Sequence, residues 1–203
     1  MRICIFGATG RTGKEIMRLS LQDHHQITAL VRGNIQMKEQ VTCITGDACN
    51  REDIQRAVCG SDVVISALGT DGVAVLSQSM PFIIEAMKQE GISRIVTVGT
   101  AGILQARTNP KIYRFQSGES KRKSTHAAED HLRAYLELAQ SDLDWTIVCP
   151  THLIDGEARG GFRTEAHMLP EHGKQITVGD TALFTYQQLT SSKYNRKRVG
   201  IAY

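Results

Sequence analysis

The sequence predicts a single α/β domain built on a doubly wound parallel sheet, and three observations carry that expectation. Short β-branched apolar runs recur along the 203 residues, with continuous rather than alternating hydrophobicity, as in strands buried on both faces. Helix-length segments separate these runs, and alternating strand and helix is the pattern of a parallel sheet covered on both sides. A turn with regularly spaced glycines, "IFGATGRTGKEIM" (5–17), joins the first run to the first helical segment.

Taken in order, the predicted strands are Arg2–Phe6, Ile27–Val31, Val41–Thr45, Val63–Ser66, Ile95–Val98 and Trp145–Cys149. Helices are expected at Thr12–Gln22, Arg51–Val58, Met80–Gln89, Ser124–Gln140 and Asp180–Thr190. Gly91 in "KQEGISRIV" reads as a helix stop, and Asp180 as the N-cap of the last helix. The Met80–Met87 face, with Phe82, Ile83 and Ile84, reads as core packing. Right-handed crossovers leave few ways to connect these elements. The polar, basic stretch "LQARTNPKIYRFQSGESKRKST" (104–125) breaks the rhythm. Connections of that length are either surface loops or lids over a site, and both readings stand.

Composition narrows the classes. A net charge of +3 is too small to imply a nucleic-acid partner by itself. Five scattered cysteines without a CxxC pair argue against a zinc site or disulfide framework and for a reducing compartment. With no signal-like leader and no apolar stretch of membrane-spanning length, the expected location is the cytoplasm.

The glycine turn carries the first functional reading. Gly7-Ala-Thr-Gly10-Arg-Thr-Gly13 follows a strand and leads into a helix, the context that makes such spacing informative. The first glycine permits a tight turn, the second a close backbone approach to a pyrophosphate, the third close helix packing. Phosphate then meets free amides at the positive end of a helix dipole. The spacing is GxxGxxG rather than GxGxxG, a variant of the same device; a bare turn needs one glycine, not three at fixed offsets. Gly7, Thr9, Gly10, Arg11, Thr12 and Gly13 are therefore assigned to a dinucleotide.

The end of the second strand, "ITALVRGN", selects which dinucleotide. An acid there would hold a ribose 2′-hydroxyl, whereas Arg32 offers the planar fork that suits a 2′-phosphate, with Arg11 as a second positive charge. NADPH is expected over NADH. Ligands of parallel sheets lie beyond the carboxyl ends of the strands. "TGD" and the next residue bring Asp47 and Ala48 toward the adenine. "SALGT" brings Leu68, Gly69 and Thr70, "TVGTAG" brings Gly99 and Thr100, and "CPTHL" brings Pro150, Thr151 and His152.

Together "IFGATGRTG", "LVR", "GD", "ALGT", "AMKQEGISRIV" and "DHLRAYLELAQSDLDWTIVCPTHL" resemble the atypical short-chain dehydrogenase/reductases. Within them the chain is most similar to the small NmrA-like NAD(P)H-binding proteins, a family that includes biliverdin-IXβ/flavin reductase. The resemblance is strong over 1–100 and 127–155 and weak elsewhere. It implies a Rossmann fold, NADPH, and hydride transfer to flavins (FMN or FAD as substrate) or linear tetrapyrroles, by a monomer or homodimer. It also implies that Thr100 stands where the family has a serine beside the nicotinamide, and that His152 matches a family histidine. A second family histidine aligns near Tyr135, a departure.

No tyrosine is followed four residues later by lysine, so alcohol oxidation and sugar epimerisation, which need that proton-handling pair, are disfavoured. Flavin reduction asks for less: the acceptor's ring delocalises charge, and positioning two flat rings supplies much of the rate. Thr100 is the expected nicotinamide-orienting residue and His152 the residue facing the acceptor. The rival is an NADP(H) sensor without turnover, equally at home without a Tyr/Lys pair. Basic runs "SKRKST" and "KYNRKR" lack the aromatic interleaving of a nucleic-acid platform and read as solvated faces, the alternative for the first being to help hold an anionic substrate near the lid. His167 and His172 show no convincing metal spacing.

Overall fold

A computed structural model describes residues 1–33, 35, 37, 40–70, 74–120, 122 and 124–203. The chain runs β1 (Arg2–Phe6), α1 (Arg11–Gln22), β2 (Gln26–Val31), β3 (Val41–Thr45), α2 (Arg51–Val58), β4 (Val63–Ser66), α3 (Val75–Gln89) and β5 (Arg94–Val98). It continues through α4 (His126–Gln140), β6 (Asp144–Pro150), β7 (His152–Ile154), β8 (Arg163–Ala166), β9 (Gln175–Thr177), α5 (Val178–Gln187) and β10 (Lys197–Ala202).

Eight strands form one sheet in the order β3-β2-β1-β4-β5-β6-β10-β8, parallel except for the antiparallel edge strand β8. Order reverses on either side of β1, which pairs with β2 through Ile3 and Ile27 and with β4 through Ile3 and Val63. A crevice at such a reversal is where an open α/β sheet binds its ligand. β7 and β9 form a separate parallel pair. The continuous apolar runs are explained by two cores, one per sheet face. Phe6, Ile54, Ile83, Met87, Ile95 and Trp145 pack beneath α2, α3 and α4; Ile3, Ile5, Ile16, Ile65, Val199 and Ile201 pack beneath α1 and α5.

Four expectations need correction. α3 begins at Val75, not Met80, and carries Pro81 inside it. Proline favours a helix's first turn, yet here it lies six residues past the start. The earlier start is held from another element: Asp130 of α4 accepts from the amides of Leu76 (3.0 Å) and Ser77 (3.2 Å), the orphan donors of α3. α4 starts at His126, two residues later than expected. The N-cap of α5 is Thr177, which accepts from the Asp180 amide; Asp180 lies in the first turn. Its buried carboxylate accepts from the amides of Arg159 and Gly160 and from Tyr203 Oη.

Lastly, "KYNRKR" is not a solvated face. It leads into β10, where Arg198 is buried against the rings of Tyr135 and Tyr113 and donates to the Ile103 carbonyl. Arg196 donates to the carbonyls of Ala139, Ser141 and Leu143 at the end of α4.

Residues 104–120 are ordered by their own bonds. Gln105 bridges Tyr113, and Glu119 accepts from the amide and hydroxyl of Thr108. Lys121 and Lys123 of "SKRKST" lie outside the described residues.

Candidate functional site

The first glycine of the turn adopts φ +79°, and a Cβ there would sit 2.5 Å from the Ala67 carbonyl oxygen. At Gly13 a Cβ would meet the Gly7 oxygen at 2.1 Å, so α1 can lie this close to β1 only without a side chain. Gly10 donates to Gly7 O at 3.0 Å and caps α1 with no side-chain bond, and no acid occupies the first turn. The helix therefore begins with amides uncovered by any side chain, the arrangement that receives an anion.

These residues open onto a cleft of about 860 Å³ at the carboxyl ends of β1 to β4. Gly7, Thr9, Gly10, Arg11 and Thr12 line it from the turn, Arg32 from the end of β2, Asp47 and Ala48 from β3, and Leu68 and Gly69 from β4. Asp47 is fixed twice: its carboxylate accepts from the Cys49 amide, and its own amide donates to Asp53. Arg11 pairs with Asp155 just after β7 at 2.8 Å, tethering the glycine turn across to that segment. Gly13 lies beneath the turn rather than in the cleft.

A second cavity, of about 480 Å³, adjoins the first at the ends of β5 and β6. Val98 and Leu153 line the first cavity, whereas Thr100 and His152, their near neighbours in sequence, line the second with Pro150 and Thr151. Thr100 Oγ1 accepts from the Gly102 amide at 3.3 Å, capping a 3-10 turn (Ala101–Ile103) and leaving its O–H to donate. His152 is an exposed residue of β7. Gly99 lines neither cavity; a Cβ there would press on Ile147 Cγ2 at 2.7 Å. Thr70 also lines neither, and borders the undescribed residues 71–73.

Sequence reasoning missed several residues of the second cavity. Arg114, Phe115, Glu119 and Arg122 come from the 104–125 stretch, which forms one wall of it, and Lys174 comes from the turn before β9. The length and polarity of that stretch were the available signal; nothing near Lys174 announces it. His131 was also missed. It lies one helical turn before Tyr135, beside Thr97 and Gly99 in a small space under the site. Burial lowers its pKa to about 4, opposed by Asp130 and assisted by Arg122. Tyr135 itself packs edge-on against Trp145.

A family model for NAD(P)H-binding proteins matches residues 7–192. The chain belongs to the NAD(P)H-binding family. A protein of Burkholderia pseudomallei described as exported has the same fold at a TM-score of 0.86 and 30% identity, each chain covered over 100% of its length. ChuY of Escherichia coli O157:H7, described as an anaerobilin reductase, superposes at 0.84 with 23% identity, over 100% of this chain and 97% of its own. SP1627 of Streptococcus pneumoniae TIGR4, assigned as an NADH-flavin reductase, superposes at 0.81 with 23% identity, over 100% and 99%. At that identity the last two bear on fold. Family membership makes the ligand class a nicotinamide dinucleotide. No helix among the described residues is long and apolar enough to cross a membrane.

Proposed function

We propose that this member of the NAD(P)H-binding family is an NADPH-dependent oxidoreductase that passes hydride to a flavin or a similar conjugated acceptor. The observation that carries the reading is that the two cavities meet along the same chain segments, Val98 and Leu153 lining one where Thr100 and His152 line the other. One has the features of a dinucleotide site, the other has room for a flat acceptor, and Thr100 and His152 stand at their junction. When bound, NADPH supplies the hydride, two electrons with one proton, and the acceptor takes its second proton from solvent. None of the five tyrosines lines either cavity, which fits an acceptor that needs no protein acid.

The chain's own part is positioning. Unfilled amides at the start of α1 hold the pyrophosphate, Asp47 and Ala48 border the adenosine end, and Thr9, Thr12, Leu68 and Gly69 line the path between. Thr100 donates its hydroxyl toward the nicotinamide, with Gly99 keeping the backbone close and Thr70 bordering the approach. Pro150 and Thr151 set the turn that presents His152 to the acceptor. Holding two flat rings in contact supplies much of the rate in such a reaction. Arg32 is assigned the adenosine 2′-phosphate, with the fork geometry that favours NADPH over NADH. The free state of all five cysteines suits a reducing cytoplasm.

The deciding assay follows NADPH oxidation with FMN, FAD, riboflavin and quinones, beside a binding titration. Turnover with at least one acceptor is expected. Protein that binds NADPH yet oxidises none of it would instead be a sensor. Separately, Arg32→Ala is expected to lower the preference for NADPH over NADH by roughly tenfold or more, the worth of a charge-assisted phosphate contact. An unchanged ratio of the two affinities removes Arg32 from the role.

A further inference from the structure

The second cavity carries more charge than ring stacking requires. Three cations, Arg114, Arg122 and Lys174, line it with one carboxylate, Glu119. Glu119 is already committed: it accepts from Thr108 twice and lies 3.7 Å from Arg114 Nε, so it offsets Arg114. Arg122 and Lys174 have no carboxylate partner among the described residues. They approach from different elements, Arg122 from the 104–125 wall and Lys174 from the turn before β9.

The same cavity has an uncharged part. Ala101, Gly102, Phe115, Ala128 and Pro150 line it, and Phe115 is stacked on Tyr113, their centroids 6.2 Å apart and their planes 13° apart. An aromatic wall with the junction residues Thr100 and His152 is suited to a conjugated ring. The charged part remains to be explained. The dinucleotide does not account for it, because its phosphates belong to the glycine turn, whose lining shares no residue with this cavity.

We infer that the second cavity selects conjugated acceptors bearing an anionic arm, a phosphate or carboxylate received by Arg122 and Lys174 while the ring lies on Phe115 toward Thr100. The inference rests on the redox reading above and specifies its substrate class. An arm of either chemistry satisfies two unpaired cations, and unpaired cations in a site of this size confer selectivity by charge. The volume falls within the range of small-molecule sites, about 300–1,000 Å³.

Two matched pairs test this, each holding the ring constant and changing the arm. FMN against riboflavin changes a phosphate; a linear tetrapyrrole diacid against its dimethyl ester changes two carboxylates. In steady-state assays with saturating NADPH at low ionic strength, kcat/KM is expected to favour the anionic member of at least one pair by about tenfold, mainly through KM. The preference should shrink at 1 M salt, where screening acts within about 3 Å. Lys174→Glu and Arg122→Ala should each lower the anionic-to-neutral ratio, the charge reversal most. Which pair responds identifies phosphate or carboxylate as the arm.

Equal kcat/KM within each pair, or ratios unchanged in both variants, overturns the inference while leaving riboflavin turnover to support the redox reading. Should no acceptor turn over, fluorescence titration of FMN and riboflavin into the NADPH-bound protein still decides. Tighter FMN binding that Lys174→Glu abolishes upholds the charged cavity, and equal binding ends it.

Discussion

Single positions in the glycine turn show how little tolerance the site has. Gly13 is separated from the Gly7 carbonyl oxygen by less than a side chain: a Cβ would meet it at 2.1 Å. Both neighbours are backbone, so nothing rotates aside, and Gly13→Ala must push α1 off β1. Overpacking of this kind costs about 1–3 kcal/mol or more, and the displaced helix start carries the amides that face the cleft. Gly13→Ala is therefore expected to lower the urea midpoint and to weaken NADPH binding together. Gly33 is the contrast: its Cβ would meet nothing within 4 Å, and glycine is favoured there only by its positive φ, +80°. A Gly13→Ala protein with wild-type midpoint and affinity would show that α1 can shift without cost.

Among the elements, those legible in the sequence are the ones whose signal is local. All six expected strands appear in the large sheet, because each is a continuous apolar run bounded by turns. The start of α3 was not legible because its cap, Asp130, is supplied from α4 across 54 positions of sequence. Nor was β10, whose apolar pattern is broken by Gly200. That glycine is demanded by a close approach, since a Cβ there would lie 2.1 Å from the Met168 oxygen. In the first cleft, the glycine turn, Arg32, Asp47, Ala48, Leu68 and Gly69 were legible from strand ends, whereas Val75, Gln78 and Leu153 were not. In the second cavity only Thr100, Pro150, Thr151 and His152 were, since Arg114, Phe115 and Lys174 reach it from connections with no periodicity.

Connections also set a competition across the cleft. Arg11 is paired with Asp155, both exposed, so it cannot serve a phosphate until that pair opens. Exposed pairs are worth about 0.2–1 kcal/mol, so Asp155→Asn should tighten NADPH up to about fivefold. The gain should vanish in the Arg11→Ala background. Tightening that persists without Arg11 would assign the effect to the segment after β7 itself.

For the whole molecule, the consequence of placing the site over a two-sided core is a half-buried ionisable group, His131, on α4 beside it. His131 titrates near 6.5 in an unfolded chain, but burial in the fold lowers it to about 4 despite the favourable field of Asp130. The sign follows from proton counting. Above pH 6.5 neither state holds the proton; between 6.5 and 4 the unfolded chain binds one that the folded chain refuses. Stability is therefore lost as pH falls through this window, by up to about 1.4 kcal/mol per pH unit and no more than about 3.5 kcal/mol in all. His131→Gln removes the group, so its urea-derived stability should fall less steeply than wild type from pH 6.5 to pH 4. Below pH 4 the two slopes should converge, because both forms of wild type are then protonated. Parallel curves across the window would mean that the imidazole is solvated in the fold, and that the space under Thr97 and Gly99 is open to water.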